Sequence, residues 1–173
     1  FTNKIWNAAN FLFINDCKFD NNLNTSSIQH SLNQWIINEL SLTSQLVEKY
    51  ISKYLFHEVA NELYHFVWHT YCDWYLEFSK TLLTNDKEES KETKNVLIWV
   101  FGEILKIAHP IIPFVTEKLW SILFSKENFL INEIYTKIEI QHSYEISQEN
   151  FKKLTLIISS IRNLRSELNI PYK

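Results

Sequence analysis

The sequence predicts an all-α protein folded as a bundle of five to six helices. Apolar residues recur at three- and four-residue spacing through almost the whole chain, which is the period of one helix face. One glycine and three prolines in 173 residues leave few turns between these segments. With 46% hydrophobic residues, the chain has enough apolar side chains for a core, and its length suits a single domain over residues 1–173.

The first two helices are predicted at about residues 1–16 and 31–53. A polar stretch at 20–27 separates them. The second helix is expected to begin at a capping box, in which Ser31 is followed three residues later by Gln34. The side chains expected in the core are Phe1, Ile5, Ala8, Ala9 and Leu12 of the first helix and Leu32, Trp35, Ile36, Leu40, Val47 and Ile51 of the second.

The third helix is predicted at about 55–83 and is the longest. An α-helical period gives it an apolar core stripe formed by Phe56, Val59, Ala60, Leu63, Phe66, Val67, Thr70 and Trp74. An aromatic stripe lies beside the first and consists of Tyr64, Trp68, Tyr71 and Tyr75. Because two stripes need more than one neighbour, we expect this helix to lie centrally.

The charge-rich stretch 85–94 is predicted to be a solvated loop. The next two helices are predicted at 96–108 and 114–124, and Pro113 suits the first turn of the latter because its missing amide proton is not needed there.

An extended connection is predicted at about 131–146, followed by a last helix that begins near Ser147 and ends before Pro171. The core stripe expected on this helix consists of Phe151, Leu154, Ile157, Ile158, Ile161 and Leu164.

Composition excludes several classes of function. The single glycine, Gly102, rules out the glycine-rich loops that cradle phosphates. The absence of methionine predicts that the chain is a piece of a longer polypeptide. No apolar run reaches the roughly 20 residues that span a bilayer, and Cys17 and Cys72 are too few for a disulfide framework. We therefore expect a cytoplasmic, monomeric chain, away from membranes and with reduced thiols. Its net charge of −3 is unlike that of a general polyanion binder.

Two histidines on the third helix raise the question of a metal site. His65 and His69 are four residues apart, which places them on one helix face, and Cys72 or Glu62 would be a third ligand. No second helix offers a matching pair of ligands. A solvated histidine pair is the favoured interpretation, so we predict no metal.

The first helix carries an unusual amide face. Asn3, Asn7 and Asn10 follow one another on one stripe, beside Lys4 and Phe11. Amides next to a cation and an aromatic ring suit hydrogen bonding to base edges together with stacking. A solvated polar face explains the same spacing, and the residues alone leave both interpretations open.

A polar arc of the third helix continues to Leu76 and Lys80. The arc is formed by Glu58, Glu62, His65, His69 and Cys72. A leucine on an outward face indicates that a neighbouring helix or a partner covers it. Only two arginines occur, Arg162 and Arg165, and their spacing on the last helix suits either a phosphate clamp or ion pairs within the bundle. No nucleophile and base are suitably spaced, so no catalytic residues are predicted.

Four blocks in fixed order give a resemblance to a known family. They are FTNKIWNAANF at 1–11, FVW leading to CDWYLE within 66–77, HPIIPFVTEKLW at 109–120 and IRNLRSE at 161–167. Together they resemble the anticodon-binding domain of the valyl-tRNA synthetases, which are class I aminoacyl-tRNA synthetases. The isoleucyl and leucyl enzymes share this domain, so the preference for valine depends on the first block and on CDWY.

The resemblance implies that the parent enzyme activates valine with ATP and Mg²⁺ in a catalytic domain and transfers it to tRNA. That domain's signatures need a glycine and a methionine that this chain does not offer, so no cofactor is expected here. What remains is expected to bind the anticodon stem-loop of tRNA, with the catalytic and editing domains of the same polypeptide as its other partners.

The resemblance also implies roles for single residues. By position in the blocks, Phe11 packs on an anticodon base and Leu76 is its apolar partner. Lys4 and Lys80 would contact phosphates. Bases or sugars are the expected partners of Asn7, Asn10 and His69, although the family usually has arginine where this chain has Asn10. The same comparison gives Asp73, Trp74, Pro110, Pro113 and Trp120 structural roles.

Two other functions stay open at this point. The net negative charge and the aromatic stripe of the third helix are also typical of a helical protein-interaction scaffold. The histidine pair leaves a metal-binding bundle as the remaining possibility.

Overall fold

The computed structural model describes residues 1–19, 23–84, 88–134, 138 and 144–170, and within them the chain is an all-α bundle, as predicted. The six helices are α1 (Thr2–Ile14), α2 (Ser31–Ser52), α3 (the contiguous segments Phe56–His65, Phe66–Tyr75 and Leu76–Leu83), α4 (Glu88–Ala108), α5 (Pro113–Leu123) and α6 (Glu145–Glu167). Short 3-10 turns lie at Thr25–Ser27 and Leu130–Asn132. None of the described helices is both long and apolar enough to cross a membrane.

Helix α4 lies in the middle of the bundle and packs against α1, α2, α3 and α5. Its buried side chains point in every direction around the helix axis, which is typical of a helix enclosed by its neighbours. They include Val96, Leu97, Ile98, Val100, Phe101, Ile104, Leu105 and Ile107. Helix α3 also has several neighbours, namely α1, α2 and α4.

The middle of α3 is a π-helix, and this changes which of its side chains are buried. Over Phe66–Tyr75 the backbone bonds run from residue i to i+5, so each turn contains more residues than the 3.6 of an α-helix. Tyr71 and Tyr75 are therefore fully buried, whereas Thr70 and Trp74 are only half-buried. The predicted core stripe is wrong at these positions because it assumed an α-helical period.

At the beginning of α3, the predicted stripe is also wrong for Phe56 and Ala60. Both are exposed, and Val59 and Leu63 alone of the first segment's residues are buried.

The predicted loop at 85–94 is helical from Glu88 onward. Ser90 and Thr93 are buried and extend the inward face of α4 by another turn. The carboxylate of Glu92 accepts hydrogen bonds from the backbone amides of Gln29 at 2.8 Å and His30 at 3.0 Å. An acidic side chain there is favourable, because the first amides of a helix have no intrahelical acceptor. Residues 85–87 lie outside the described part of the chain.

The start of α2 also differs from the predicted capping box. His30, not Ser31, is the N-cap, and its Nδ1 accepts a hydrogen bond from the amide of Leu32 at 3.2 Å. Gln34 donates its side-chain amide to the carbonyl of Ile28 at 2.8 Å instead of closing a box. Ser31 is thus the first helical residue instead of the cap. The amides of Gln29 and His30 just before the helix donate to Glu92, and the amide of Leu32 donates to His30.

A buried polar network joins α2, α3 and α4. Asn33 is 0% exposed, and its amide nitrogen donates to Glu92 Oε1 at 2.8 Å and to Thr93 Oγ1 at 3.1 Å. Its amide oxygen accepts from the Tyr75 hydroxyl at 2.8 Å. Each polar atom of this amide has a partner, which removes most of the cost of burying it.

The last helix is less buried than its sequence predicts. Phe151 stacks on Trp35 of α2 with ring centroids 5.2 Å apart, and Ile158 is half-buried. The other predicted core residues of α6 are between 40% and 57% exposed, namely Leu154, Ile157, Ile161 and Leu164. The prediction is wrong for these four because α6 packs mainly on α2, and no described element covers its second apolar side.

Of the predicted connection at 131–146, residues 135–137 and 139–143 lie outside the described part of the chain. The described portion includes the turn Leu130–Asn132 and the first residues of α6, so it is helical at both ends. Ile138 is buried between them and accepts a hydrogen bond from Ser41 at 2.7 Å.

A shortage of glycine affects the ends of three helices. Asp16, Tyr54 and Asn169 follow α1, α2 and α6 with φ of 52°, 58° and 52°, the left-handed conformation in which many helices end. Asparagine and aspartate tolerate this conformation better than other residues with a side chain, whereas tyrosine at this position is strained.

A buried carboxyl group is expected to make stability depend on pH. Glu103 is 4% exposed in α4, and Lys106 donates to its Oε1 at 2.8 Å. Burial raises the pKa of Glu103 above its ordinary 4.5, although Lys106 opposes the shift. The folded protein then holds this proton more tightly than the unfolded chain. The stabilisation that the protonated Glu103 contributes is fully present below about pH 4.5 and is lost as pH rises through the raised pKa.

We therefore expect Glu103→Gln to remove the loss of stability that accompanies ionisation of Glu103 as pH rises. Urea unfolding between about pH 4 and pH 7 should show the free energy of unfolding of the wild type falling relative to that of the variant. A difference between the two proteins that stays constant over this range would contradict the assignment.

Candidate nucleic-acid interface

A surface cleft of about 440 Å³ lies between α1, α3 and α6, and we call it the α1–α3–α6 cleft. Its lining consists of Lys4, His69, Cys72, Asp73, Trp74, Glu77, Ser159 and Arg162. Three candidate residues, Lys4, His69 and Arg162, meet here although they lie far apart in the sequence. A larger apolar cleft beside α5, about 500 Å³, contains none of the candidates.

Lys4 is held on one side of the cleft by Asp73. Its ammonium donates to Asp73 Oδ1 at 2.7 Å and lies 4.9 Å from the ring centroid of Trp68. The hydrogen bond to Asp73 raises the pKa of Lys4, so the ammonium is fully charged at neutral pH. The Nδ1 atom of His69 is 3.4 Å from the other oxygen of Asp73. Asp73 thus connects two of the candidate residues.

Arg162 occupies the opposite side of the cleft. Its guanidinium lies over the ring of Trp74, 4.8 Å from the centroid, which is cation–π geometry. The Trp74 ring is followed by Phe78 at 5.6 Å, and Phe78 by Phe151 of α6 at 6.0 Å. A row of aromatic rings therefore connects the cleft with the N-terminal part of α6. Ser159, one turn before Arg162, adds a hydroxyl to the lining.

A second row of aromatic rings approaches the cleft along the surface, and we call it the aromatic row. The ring of Phe1 is 5.9 Å from that of Tyr64, which in turn stacks on Trp68 at 5.4 Å. Phe1 and Tyr64 are each 37% exposed, and the ammonium of Lys4 lies over the ring of Trp68. Exposed rings beside a cation are the combination that binds unpaired bases.

The aromatic stripe predicted on α3 is therefore divided. Tyr64 and Trp68 belong to the surface row, whereas Tyr71 and Tyr75 are completely buried. Their hydroxyls donate inward, to the carbonyl of Leu97 at 3.0 Å and to Asn33 at 2.8 Å. Burial raises the pKa of both phenols well above the ordinary value, so they remain neutral hydrogen-bond donors.

The remaining candidates are not among the residues that line the cleft. Phe11 is half-buried and packs against the core. Lys80 is exposed and donates to Glu77 at 2.6 Å, and Arg165 is half-buried one turn after Arg162. The amide face of α1 is exposed, as its sequence indicated, at Asn3, Asn7 and Asn10.

Leu76 does not lie on an outward face. It is only 7% exposed and belongs to the core, so of the two predicted alternatives, a neighbouring helix or a partner, the bundle itself covers it. The reason is again the π-helical segment, which turns the residues after Phe66 relative to an α-helical wheel.

Two important residues of the cleft, Asp73 and Trp74, had been assigned structural roles from the sequence. The spacing of His69 and Asp73, four apart on a helix, signals their pairing. No sequence signal relates Asp73 to Lys4, or Trp74 to Arg162, because each pair joins different helices.

The two cysteine thiols have limited reactivity. Cys17 and Cys72 are free and buried, and burial raises the pKa of their thiols to about 11 and about 12. Both are therefore neutral near pH 7, and the nucleophilic thiolate is scarce. The rings of His65 and His69 stack at 5.6 Å. Within the described ranges, no three potential ligands come together around a metal position.

A family model described as the anticodon-binding domain of tRNA ligase matches residues 33–173. The chain belongs to this family. The all-helical bundle and the resemblance of the four sequence blocks agree with it.

Curated relatives extend the match through α1. A valine–tRNA ligase of Pelagibacter ubique is 39% identical over 176 residues, covering 98% of this chain and 20% of the relative. One from Zymomonas mobilis is 37% identical over 175 residues, covering 99% and 20%. One from Mycoplasma mycoides is 39% identical over 173 residues, covering 98% and 19%. The chain thus spans about a fifth of the length of these relatives.

In this member of the anticodon-binding family, three of the four sequence blocks meet on one side of the bundle. Lys4, Asp73 and Arg162 are each more than 60 residues from the next along the chain, yet all three line the α1–α3–α6 cleft. The described helices therefore bring the ends and the middle of the chain to a single surface.

Proposed function

We propose that this chain binds the anticodon stem-loop of a valine-accepting tRNA as one domain of a valyl-tRNA synthetase. The observation that carries the proposal is the α1–α3–α6 cleft, with its two stacked cations, beside the exposed aromatic row. Curated relatives named valine–tRNA ligase support valine over the isoleucyl and leucyl alternatives.

The chemistry of this surface suits an RNA loop. Sequence-specific RNA recognition uses unpaired bases that stack on aromatic rings and guanidinium planes, while cations contact the backbone. The chain has a net charge of −3, so attraction for RNA must be local. Helices α1, α3 and α6 place cations and exposed rings together at such a local surface.

The proposed roles of single residues follow their positions. Phe11 supplies a partly exposed ring, and Asn3, Asn7 and Asn10 supply exposed amides for base or sugar contacts. His69 lies at the mouth of the cleft with a half-exposed side chain. Arg162, Arg165 and Lys80 supply positive charge for phosphates. Leu76 is assigned to the core instead of the interface.

The chemistry of aminoacylation is proposed to occur elsewhere in the longer polypeptide, in a catalytic domain that uses ATP and Mg²⁺. The residues described here do not fit a nucleotide phosphate loop. The single glycine, Gly102, is buried inside α4, where a Cβ atom would lie 2.9 Å from the Phe124 ring. Catalytic and editing domains are the proposed intramolecular partners, and the cytoplasm, where tRNA is charged, is the proposed location.

Filter binding to two tRNA transcripts tests the proposal. We expect the valine-accepting tRNA to bind at least about tenfold more tightly than a version that differs only in the anticodon, because hydrogen bonds to the edge of the correct base discriminate against a wrong base by about 1–3 kcal/mol. A transcript altered only at the acceptor end is the control and should bind like the original. Equal binding of all three at moderate salt would refute anticodon recognition.

The scaffold alternative is less well supported than the sequence indicates. Half of the aromatic stripe on which it depended, Tyr71 and Tyr75, is buried in the core. Light scattering without nucleic acid distinguishes the two functions, since a scaffold built on a self-associating face would form a stable oligomer.

A further inference from the structure

The cations of the α1–α3–α6 cleft differ in how far they are already neutralised. Lys4 donates to Asp73 at 2.7 Å, and the other lining carboxylate, Glu77, accepts from Lys80 at 2.6 Å. Arg162 forms no ion pair with any residue that the structure describes. Its charge is therefore the uncompensated positive charge among these groups.

We propose that Arg162 is the phosphate-binding cation of this cleft, that Trp74 is its positioning residue, and that Asp73 keeps Lys4 from acting in the same way. This inference rests on the proposed RNA-binding function, and it changes the role that the sequence assigns to Lys4. The ligand group is a backbone phosphate of RNA.

Stacking on Trp74 suits this role. A guanidinium over a tryptophan face keeps its planar N–H groups at the rim, where a phosphate accepts two of them at once. The stack also limits the rotamers of a long side chain, so less conformational entropy is lost when the phosphate binds. Ser159, one turn earlier on α6, places a hydroxyl in the same cleft as a further donor.

The position of Trp74 is itself fixed by packing. Phe78 lies 5.6 Å from Trp74 and 6.0 Å from Phe151, and Phe151 stacks on Trp35. This series of rings fixes the part of α3 that carries Trp74 relative to the start of α6. Because Trp74 is half-buried, one part of the ring packs inward and the rest supports Arg162.

Lys4 is less suitable for phosphate binding. Its ammonium would have to leave a 2.7 Å hydrogen bond with Asp73, and the Asp73 carboxylate would then repel the incoming phosphate. The other oxygen of the same carboxylate is 3.4 Å from Nδ1 of His69, so Asp73 contacts both Lys4 and His69. We therefore assign the Lys4–Asp73 pair to joining α1 and α3.

The test measures binding of the two tRNA transcripts as a function of salt, from about 50 to about 200 mM. The slope of log affinity against log salt falls by about 0.7 to 0.9 for each phosphate contact that is lost. We expect Arg162→Gln to lower this slope by the amount of one phosphate contact. It should also weaken binding about tenfold at the low-salt end. Lys4→Gln should leave the salt slope unchanged, because in this proposal Lys4 makes no phosphate contact. Lys53→Gln removes an exposed charge at the end of α2 and serves as control, and it should change affinity less than about twofold.

A double-mutant cycle separates positioning from general stability. Trp74→Leu alone should weaken tRNA binding and lower the salt slope. In a protein that already carries Arg162→Gln, it should have almost no further effect on either quantity. Trp74→Phe keeps an aromatic face and should restore most of the affinity lost in Trp74→Leu. Urea unfolding of each variant identifies any that fails to fold. If Trp74→Leu does not fold, the salt slope of Arg162→Gln, which needs no change at Trp74, still tests the phosphate contact.

The outcomes distinguish this inference from the proposed function. An unchanged salt slope in Arg162→Gln would overturn the phosphate contact. Equal losses from Trp74→Leu in both backgrounds would reduce Trp74 to a structural residue, and a lower salt slope in Lys4→Gln would assign the phosphate contact to Lys4 instead of Arg162. Because both transcripts carry the same phosphates, the effect of Arg162→Gln should persist even if the anticodon change has none. In that case anticodon recognition fails while the phosphate contact stands. A wild type that binds neither transcript overturns both.

Discussion

Replacing Asn33 with leucine is expected to lower the free energy of unfolding by about 3 kcal/mol. The substitution removes hydrogen bonds to three partners in a site from which water is excluded. The Tyr75 hydroxyl is left without its acceptor, and the Glu92 carboxylate loses a donor beside the start of α2. An unpaired buried polar group costs about 1–3 kcal/mol, and more when it is charged.

Urea or thermal unfolding measures this change, and two variants interpret it. Tyr75→Phe removes one hydrogen bond of the network and should cost about 1–2 kcal/mol. Asn61→Leu makes the same substitution at an exposed position of α3 and should stay within about 0.5 kcal/mol of the wild type. A loss below about 1 kcal/mol for Asn33→Leu would show that the network contributes little to stability.

Replacing Phe11 with alanine is expected to weaken binding of the valine-accepting tRNA by about one to two orders of magnitude. Stacking of a base on an aromatic ring contributes about 1–3 kcal/mol, and alanine has no face on which a base stacks. Phe11 is half-buried, so part of its ring supports the core of the bundle. The substitution therefore affects both stability and binding.

Two further variants separate these effects. Phe11→Leu retains apolar volume for the core but lacks the ring, so it should fold like the wild type and still lose about tenfold in affinity. Phe13→Leu is the matched control, because Phe13 is 73% exposed two residues further along α1. It should bind tRNA normally. Normal binding by Phe11→Leu would place the stacking ring elsewhere, and the aromatic row would be the next surface to test.

Much of the secondary structure followed from local signals. The spacing of apolar residues indicated the helices, and α5 begins at Pro113, where a proline is favoured in the first turn. Local signals failed at the start of α4. The charged residues of 88–94 suggested a loop, but Glu92 is held by the amides of Gln29 and His30, more than 60 residues away. Pairing over such a distance has no periodic signature.

Which face of α3 is buried could not be predicted from the sequence, for a different reason. An α-helical wheel gave Thr70 and Trp74 to the core and Leu76 to an outward face. In the structure Thr70 and Trp74 are half-buried, and Leu76 is buried. A π-helix is stabilised by the packing of its neighbours instead of by the propensities of its own residues. The sequence of 66–75 therefore identified a helix without identifying which of its faces is buried.

By itself, the sequence determined the helical class, most helix boundaries, the resemblance to an anticodon-binding domain and the candidate residues Lys4, His69 and Arg162. These depend on local periodicity, on caps and on the order of short blocks. Only the tertiary structure decided which charges are neutralised and which rings are exposed. The Lys4–Asp73 pair joins α1 to α3, and the Arg162–Trp74 stack joins α3 to α6. Electrostatic and stacking energies depend on distances between atoms in space, and these distances are set when the helices pack.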